Sequence, residues 1–356
     1  MNKSEVFVIG LMSGTSLDGI DLVYVKFNKK KYQDFKILHS ETVSYTKDWK
    51  LTLQDAINFS SNDLKQLNLD YGFHLGKVIN GFIDEFNIQN IDFIASHGHT
   101  VLHQPQNGIT LQVGDGQTIA DVTKQKVICD FRTQDVKLGG QGAPLVPIGD
   151  ELLFSNYDYC LNLGGFSNIS YHKAGKRIAF DVCPVNIVMN HYANKLGLEY
   201  DESGKIAFKG KLNESLLEEL NSLEFYQKEP PKSLGLEWVQ DVIFPLISSL
   251  ETDVSSILRT FVEHIAIQIS KIIKDNNSVL FTGGGVFNSF LMNRIEDVSN
   301  IKIKLPSSKL INFKEALLFA FLGVLKLDNQ INCLSSVTGA IEDHSSGNIF
   351  LPSGNQ

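Results

Sequence analysis

Residues 6–27 read VFVIGLMSGTSLDGIDLVYVKF, and the organisation of the whole chain follows from them. The apolar runs 6–11 and 20–27 each have the length of a buried strand, and SGTSLDG at 13–19 interrupts them with small and polar residues. Short apolar runs bounded by turn residues are the signal for buried strands. A polar tip, Asn28-Lys29-Lys30-Lys31, and a further run at 35–45 complete a three-stranded meander. The lysines there fit a solvated hairpin tip better than a phosphate patch.

Working outward, residues 63–86 carry Leu64, Leu67, Tyr71, Leu75, Val78, Phe82 and Phe86 at three- and four-residue spacing, which predicts a long helix with one buried face. Ser61, Asn62 and Asp63 are its cap candidates. Strands are expected at 93–95, 109–113 and 126–131, with a short helix at 117–123. The glycine-rich segment Gly139-Gly140-Gln141-Gly142-Ala143-Pro144 breaks both periodicities and is expected to be the crossing between domains.

The second half repeats this grammar. Strands at 159–163, 169–172 and 177–182 surround the turn Gly164-Gly165-Phe166-Ser167-Asn168. Helices are expected at 253–273, 288–295 and 313–325, the last buried almost all round, with a strand at 279–282 before the triplet Gly283-Gly284-Gly285. At 356 residues the chain exceeds one ordinary core, and two domains are expected: 1–140 with a C-terminal return at about 335–356, and 141–334.

Composition narrows the function. Lys and Arg number 32 against 40 Asp and Glu, a net charge of −8, which argues against a nucleic-acid partner. A hydrophobic content of 43% excludes a largely disordered chain. No apolar run approaches the roughly 18 residues a membrane helix needs, and the N-terminus is a poor signal peptide. Cys129, Cys160, Cys183 and Cys333 are far apart and form no CxxC pair, so neither a zinc site nor a disulfide framework is expected, and a reducing cytoplasm is the default. The expected object is a soluble α/β protein.

Several segments bear chemistry. Gly14, Thr15, Ser16, Leu17, Asp18, Gly19, Ile20 and Asp21 form a turn whose small residues let amides approach an anion; an ordinary hairpin turn is the alternative. Asp18 and Asp21 beside such a cradle suit Mg²⁺ held through water. Gly164 to Asn168 offers the same chemistry again. Gly283, Gly284, Gly285 and Asn288 follow a strand and open a helix, as at a nucleotide site or a simple tight turn. Neither a dinucleotide fingerprint nor a P-loop is present. His97, His99 and His103 have ligand-like spacing, but their polar neighbours favour hydrogen bonding over metal. Adjacent Ser96 and His97 point to opposite faces of a strand and make no nucleophilic pair. Asp181, at a strand tip, suits a general base or a capping or turn residue. Arg132 can grip an anionic ligand or pair with Asp130 or Asp135.

Residues 10–21, GLMSGTSLDGID, resemble the opening signature of the anhydro-N-acetylmuramic acid kinases. Collinear matches follow at Ser96-His97-Gly98 with Thr100; at Asp130-Phe131-Arg132 with GGQGAPLVP (139–147); at Leu163-Gly164-Gly165-Phe166-Ser167-Asn168; at Pro230-Pro231-Lys232-Ser233; at Gly283-Gly284-Gly285 with Asn288; at Lys314-Glu315-Ala316; and at SVTGA (336–340). The resemblance implies a two-domain actin-like ATPase fold of the sugar kinase and Hsp70 type, with a ribonuclease H-like motif in each domain and a cleft between them. It implies ATP and Mg²⁺ as cofactors and an amino sugar as partner. The implied reaction opens the anhydro ring of 1,6-anhydro-N-acetylmuramic acid with water and phosphorylates O6, giving N-acetylmuramic acid 6-phosphate in peptidoglycan recycling. Asp181 then matches the catalytic base, residues 14–21 and 164–168 the two phosphate sites, and 283–288 the adenosine side. His97, Arg132, Gly142 and Glu315 fall where the sugar binds. Homodimerisation and closure of the domains, with Gly139, Gly140 and Gly142 as hinges, are also implied.

The chain departs from the family after the base, where FD, one residue and GPGN are usual. Cys183 and Val185 replace both glycines and Asn190 a later acidic residue, and the side chains are expected to narrow the sugar pocket or shift its edge. The family's KSTGRE-like stretch reads KSLGLE at 232–237. A kinase for a related sugar is therefore one alternative, and a catalytically weak nucleotide- or sugar-binding protein of the same fold the other.

Overall fold

The computed structural model describes residues 4–14, 17–273 and 277–354. Eleven strands occur among them: β1 (Glu5–Ser13), β2 (Ile20–Asn28), β3 (Phe35–Val43), β4 (Phe93–Gln104), β5 (Ile109–Val113), β6 (Val127–Cys129), β7 (Tyr159–Leu163), β8 (Phe166–Lys173), β9 (Lys176–Pro184), β10 (Val279–Thr282) and β11 (Asn348–Phe350). The chain divides into two compact units, Met1–Ser155 with Phe313–Gln356, and Asn156–Asn312. The division thus falls after Ser155 and before Phe313 rather than at 140 and 335. The 139–144 loop stays within the first unit, where Gln141 N donates to Thr338 O (2.8 Å) and Gly140 N to Asp135 O (2.9 Å).

The first unit's sheet runs β11-β6-β4-β1-β2-β3, with β5 antiparallel to β4. The meander β1-β2-β3 is antiparallel, while β4 lies parallel to β1 and β6 parallel to β4. The second unit runs β10-β7-β8-β9, an antiparallel meander with β10 parallel to its first strand. Both units therefore place the fourth strand beside the first and the third at the edge, the ribonuclease H-like order of the two-domain actin-like ATPase fold. A parallel pair needs a crossover connection, and each unit supplies helix between its third and fourth strands.

The Ser61–Glu85 helix covers one face of the first sheet through Leu67, Tyr71, Leu75, Ile79 and Phe82, all buried. Its N-cap is Ser60, one residue before the expected candidates, because the Ser60 side chain is the one in position to accept from Asp63 N, at 3.3 Å. In the second unit the Val254–Ser270 helix buries Ile257, Phe261, Ile265 and Ile269 against Leu161, Leu163, Phe180 and Val182.

The Ser308–Leu327 helix leaves helical geometry at Phe313 (φ −115°, ψ 15°), where the chain returns to the first unit. Beyond it residues 316–325 are all buried, and within 313–325 only Glu315 is exposed, so this stretch is buried almost all round. Its backbone lies directly on β1. A methyl at Gly10 would overlap Ala316 O and reach 2.7 Å from Ala320 Cβ. Overpacking of a filled interior typically costs about 1–3 kcal/mol, so Gly10→Ala should lower stability by about that much. Gly81, in the Ser61–Glu85 helix with nothing within 4 Å of its Cβ position, should respond oppositely, Gly81→Ala gaining about 0.4–1 kcal/mol. Thermal and urea unfolding of the two variants should show midpoints displaced in opposite directions.

Candidate active site

The carboxyl ends of β1 and β4 gather hydroxyls and a histidine. Ser13 Oγ hydrogen-bonds to the hydroxyls of Tyr45 and Tyr71, the latter at 2.7 Å, and lies 3.4 Å from His99 Nδ1. Burial pushes His99 down to about 4, so its ring is neutral near pH 7. From this anchor the chain enters the first glycine turn. Thr15 and Ser16 lie outside the described residues. Leu17 has φ +58° and packs into the core, as does Ile20 in β2, so their side chains serve the fold and only their backbone is left to face a ligand. Asp18 is exposed. Asp21, half-buried in β2, accepts from Thr42 Oγ1 at 2.6 Å. Its carboxyl is raised above the usual range, mainly by burial and further by the charge of Asp18, against the Thr42 bond. A carboxylate whose charge is disfavoured beside a second acidic residue fits a hydrated divalent cation.

A second arrangement centres on Arg132. Its Nε donates to His97 Nε2 at 2.9 Å and its Nη1 to Gly142 O at 2.6 Å. His97 Nδ1 lies 2.9 Å from Gly98 O, and a carbonyl only accepts, so Nδ1 carries the proton and Nε2 the lone pair that Arg132 meets. Burial first, then Arg132, holds His97 well below its ordinary pKa, which keeps that lone pair free. Both ring nitrogens are engaged, and His97 acts on its surroundings through Arg132. Among the described residues Arg132 makes no direct carboxylate pair. Asp135 instead accepts from Gly142 N (2.6 Å) while Arg132 holds the carbonyl of the same residue. Gly142 has φ +67°, and a methyl there would lie 2.9 Å from Val136 Cγ2. Burial lowers Arg132 to about 10, with Glu315 and Asp135 opposing, so the guanidinium stays charged near neutral pH. Glu315 is exposed, but the protein around it raises its carboxyl, with Arg132 and Lys314 pulling the other way.

In the second unit, β8 begins at Phe166, so the turn is shorter than the sequence implied and Phe166, Ser167 and Asn168 belong to the strand. Val185 N and Ile187 N donate to Gly165 O, and Asn186 N to Gly164 O. The glycine turn thereby caps the first turn of the Asn186–Asn194 helix. Ser167 Oγ is buried and has no hydrogen-bond partner among the described residues.

Asp181 sits inside β9, three residues before its end, rather than at the tip. The β8–β9 register shifts there, Ser167 pairing with Cys183 and Asn168 with Asp181, so Val182 is the extra residue of a bulge. Bulges re-aim the neighbouring side chains. Asp181 N donates to Lys232 O (3.1 Å), and Leu234 N donates to Asp181 Oδ2 (2.8 Å). Burial raises the carboxyl above its usual range, partly offset by the Leu234 bond. Cys183 and Val185 are fully buried in this unit's hydrophobic core. The expectation that they narrow a pocket is overturned: their side chains fill the interior. Next to the carboxylate's partner, a cavity of about 480 Å³ is lined by Phe225, Lys228, Lys232, Ser233, Leu234 and Trp238 among others.

The glycine triplet forms a 3₁₀ turn at Gly284–Phe287, and the following helix starts at Ser289 with Asn288 as its cap, accepting from Leu291 N at 3.0 Å. Gly283 (φ +85°) is needed because a side chain there would strike Asn162 and Leu163. Asn162 and Asn186, which the sequence reading did not single out, stand beside this turn: Asn162 Oδ1 accepts from Thr282 Oγ1 (3.3 Å), and Asn186 Nδ2 donates to Leu163 O (3.3 Å). The available signal was a polar residue inside the otherwise apolar strand YCLNL. The three histidines do not converge on one point: His97 meets Arg132, His99 meets Ser13, and His103 meets Thr110.

A model of the family described as anhydro-N-acetylmuramic acid kinase matches residues 6–352. The anhydro-N-acetylmuramic acid kinase of Haemophilus influenzae is 34% identical over 98% of this chain and 99% of its own length. That of Shewanella denitrificans is 34% identical over 96% of each chain, and that of Bacillus thuringiensis 32% identical over 98% of this chain and all of its own. With near-complete coverage in both directions, this chain belongs to the anhydro-N-acetylmuramic acid kinase family and is a sugar kinase.

Proposed function

We propose that the protein uses ATP and Mg²⁺ to convert 1,6-anhydro-N-acetylmuramic acid and water into N-acetylmuramic acid 6-phosphate and ADP. The observation that carries this reading is Asp181: a carboxylate beside a strand bulge, fixed by Leu234 N, with a pKa raised by burial. A base with a pKa nearer the working pH accepts a proton more effectively than an ordinary carboxylate. Asp181 takes a proton from the water whose oxygen bonds to C1. The C1–O6 bond breaks with its electron pair left on O6. O6 then bonds to the γ-phosphorus, and the bond from that phosphorus to the ADP oxygen breaks. Asp18 and Asp21 would hold Mg²⁺ through water, and the ion supplies neutralisation of phosphate charge.

The remaining assignments are those the family resemblance implies. Residues 14–21 and 164–168 serve the phosphates, the latter as backbone capped against a helix. Gly283, Gly284, Gly285 and Asn288 serve the adenosine side, where bare backbone permits close approach. Arg132 serves the sugar, with Gly142 and Glu315. His97 positions Arg132 rather than touching substrate, since neither ring nitrogen is free. The seating of Cys183 and Val185 in the core removes the reason to look to a different sugar.

Incubation with 1,6-anhydro-N-acetylmuramic acid, ATP and Mg²⁺ should give a product heavier by one phosphoryl group and one water, read by mass spectrometry. Phosphorylation without gain of water, or ADP release independent of the sugar, would overturn the reading. Asp181→Asn should keep its circular dichroism and lose turnover by about 10²- to 10⁴-fold.

The pH profile provides a separate check. Because burial raises the Asp181 pKa, the base form is depleted as pH falls through a value above 3.8, and kcat/KM should drop along an acid limb there. The Leu234 N–H stabilises the charged form, so Leu234→Pro, which removes that donor, should move the limb to higher pH. For the sugar site, His97→Phe should raise the sugar KM with little change in the ATP KM, measured by varying each substrate in turn.

A further inference from the structure

The Asp135 carboxylate lies where the first unit's C-terminal segment meets the Thr133–Lys137 helix. It is fully buried, and Cys333 and His344 are almost fully so, at 1% and 6% exposed. Cys333 Sγ lies 3.0 Å and His344 Nε2 3.6 Å from Asp135 Oδ1, and the three potential ligand atoms all lie within 4.8 Å of one another. Cys333 and His344 face each other across an isolated antiparallel bridge, which sets both side chains at one level. Three groups that serve as metal ligands therefore converge from distant parts of the sequence.

The histidine gives this convergence its direction. His344 Nδ1 lies 3.1 Å from the carbonyl of Glu342, so in the neutral ring Nδ1 carries the proton and donates it there. The lone pair is then on Nε2, which is buried and has no hydrogen-bond partner among the described residues. A lone pair aimed at a carboxylate oxygen is unfavourable unless a positive centre stands between them. Histidine ligands of metals are held in this way, with the far nitrogen donating to a backbone carbonyl. Asp135 is oriented from behind in the same fashion, by Gly142 N at 2.6 Å on Oδ2 and Thr338 Oγ1 at 2.7 Å on Oδ1.

We propose that Asp135, Cys333 and His344 bind a divalent, borderline-soft metal ion, with zinc the best match. Ligand atoms about 2.0–2.3 Å from one zinc ion at tetrahedral angles lie roughly 3.3–3.6 Å apart; here Asp135 Oδ1 is 3.0 Å from Cys333 Sγ and 3.6 Å from His344 Nε2, and the third pair lies within 4.8 Å. Thiolate with imidazole and carboxylate selects zinc over magnesium or calcium. The thiol proton is released to solvent on binding, and thiolate and carboxylate together balance the +2 charge of the ion. The site is distinct from the nucleotide and sugar residues. It clips the C-terminal segment to the helix that supports Gly142, and so stiffens the seat of Arg132 without touching substrate.

The test uses tag-free, full-length protein freed of metal and then titrated with zinc alone or cobalt(II) alone. One equivalent of zinc per chain is expected by elemental analysis, with a rise in thermal midpoint. Cobalt(II) should give a thiolate-to-metal charge-transfer absorption. Cys333→Ser and His344→Gln should each weaken binding by at least about tenfold while retaining the wild-type circular dichroism. Equal zinc affinity in all three proteins would overturn the proposal. So would folded wild-type protein that takes up cobalt without the thiolate band, or that takes up no metal, as a protonated His344 paired with Asp135 would require. The wild-type spectrum decides the matter even if a variant fails to fold.

Discussion

Parallel pairing of the first and fourth strands in each unit is the constraint on which the rest depends. Once β4 lies parallel to β1, and β6 to β4, the carboxyl ends of all three fall on one side of the sheet. Ser13 and Arg132 follow at or beyond the ends of β1 and β6, and His97 and His99 lie in β4 where its parallel pairing runs out. In the second unit β7 and β10 do the same for Asn162, Gly164 and Gly283. Loops at the carboxyl ends of parallel strands are where α/β sheets bind ligands, so strand order determines which residues can become a site before any side chain is chosen.

Within that frame, the first unit works through linked hydrogen bonds rather than ion pairs. Asp135 and Arg132 do not bond to each other; each holds one end of the Gly142 peptide. Such an arrangement fixes the guanidinium from behind through hydrogen bonds. In the second unit, the helix beginning at Asn186 spends its first amides on the carbonyls of Gly164 and Gly165, which fixes the turn's shape.

Legibility in the sequence followed the range of the interactions involved. β5, β7 and β10 were readable to the residue, because each is a short apolar run closed by polar or glycine residues. β4 extends nine residues past the expected end, through SHGHTVLHQ, since pairing with β5 overrides its polar composition. The Lys47–Asp55 helix was missed because its sequence is largely polar and only Leu53 is buried. The 139–144 loop looked like a domain crossing from its glycines, but its ties to Asp135 and Thr338 lie outside local pattern. The convergence of Asp135 with Cys333 spans 198 positions, beyond any spacing rule.

The interrupted path of the chain has a consequence for its synthesis. The second unit is one continuous segment, Asn156–Asn312, whereas the first is opened by that insertion and needs residues after 312 to complete it. β11 closes the first sheet by pairing with β6 only near residue 350, and Gly10 waits for Ala316 and Ala320 to cover it. On the ribosome, the half made first is therefore finished last: β1 to β6 emerge early with an uncovered face and an open edge, and the central segment has all its own partners before they do.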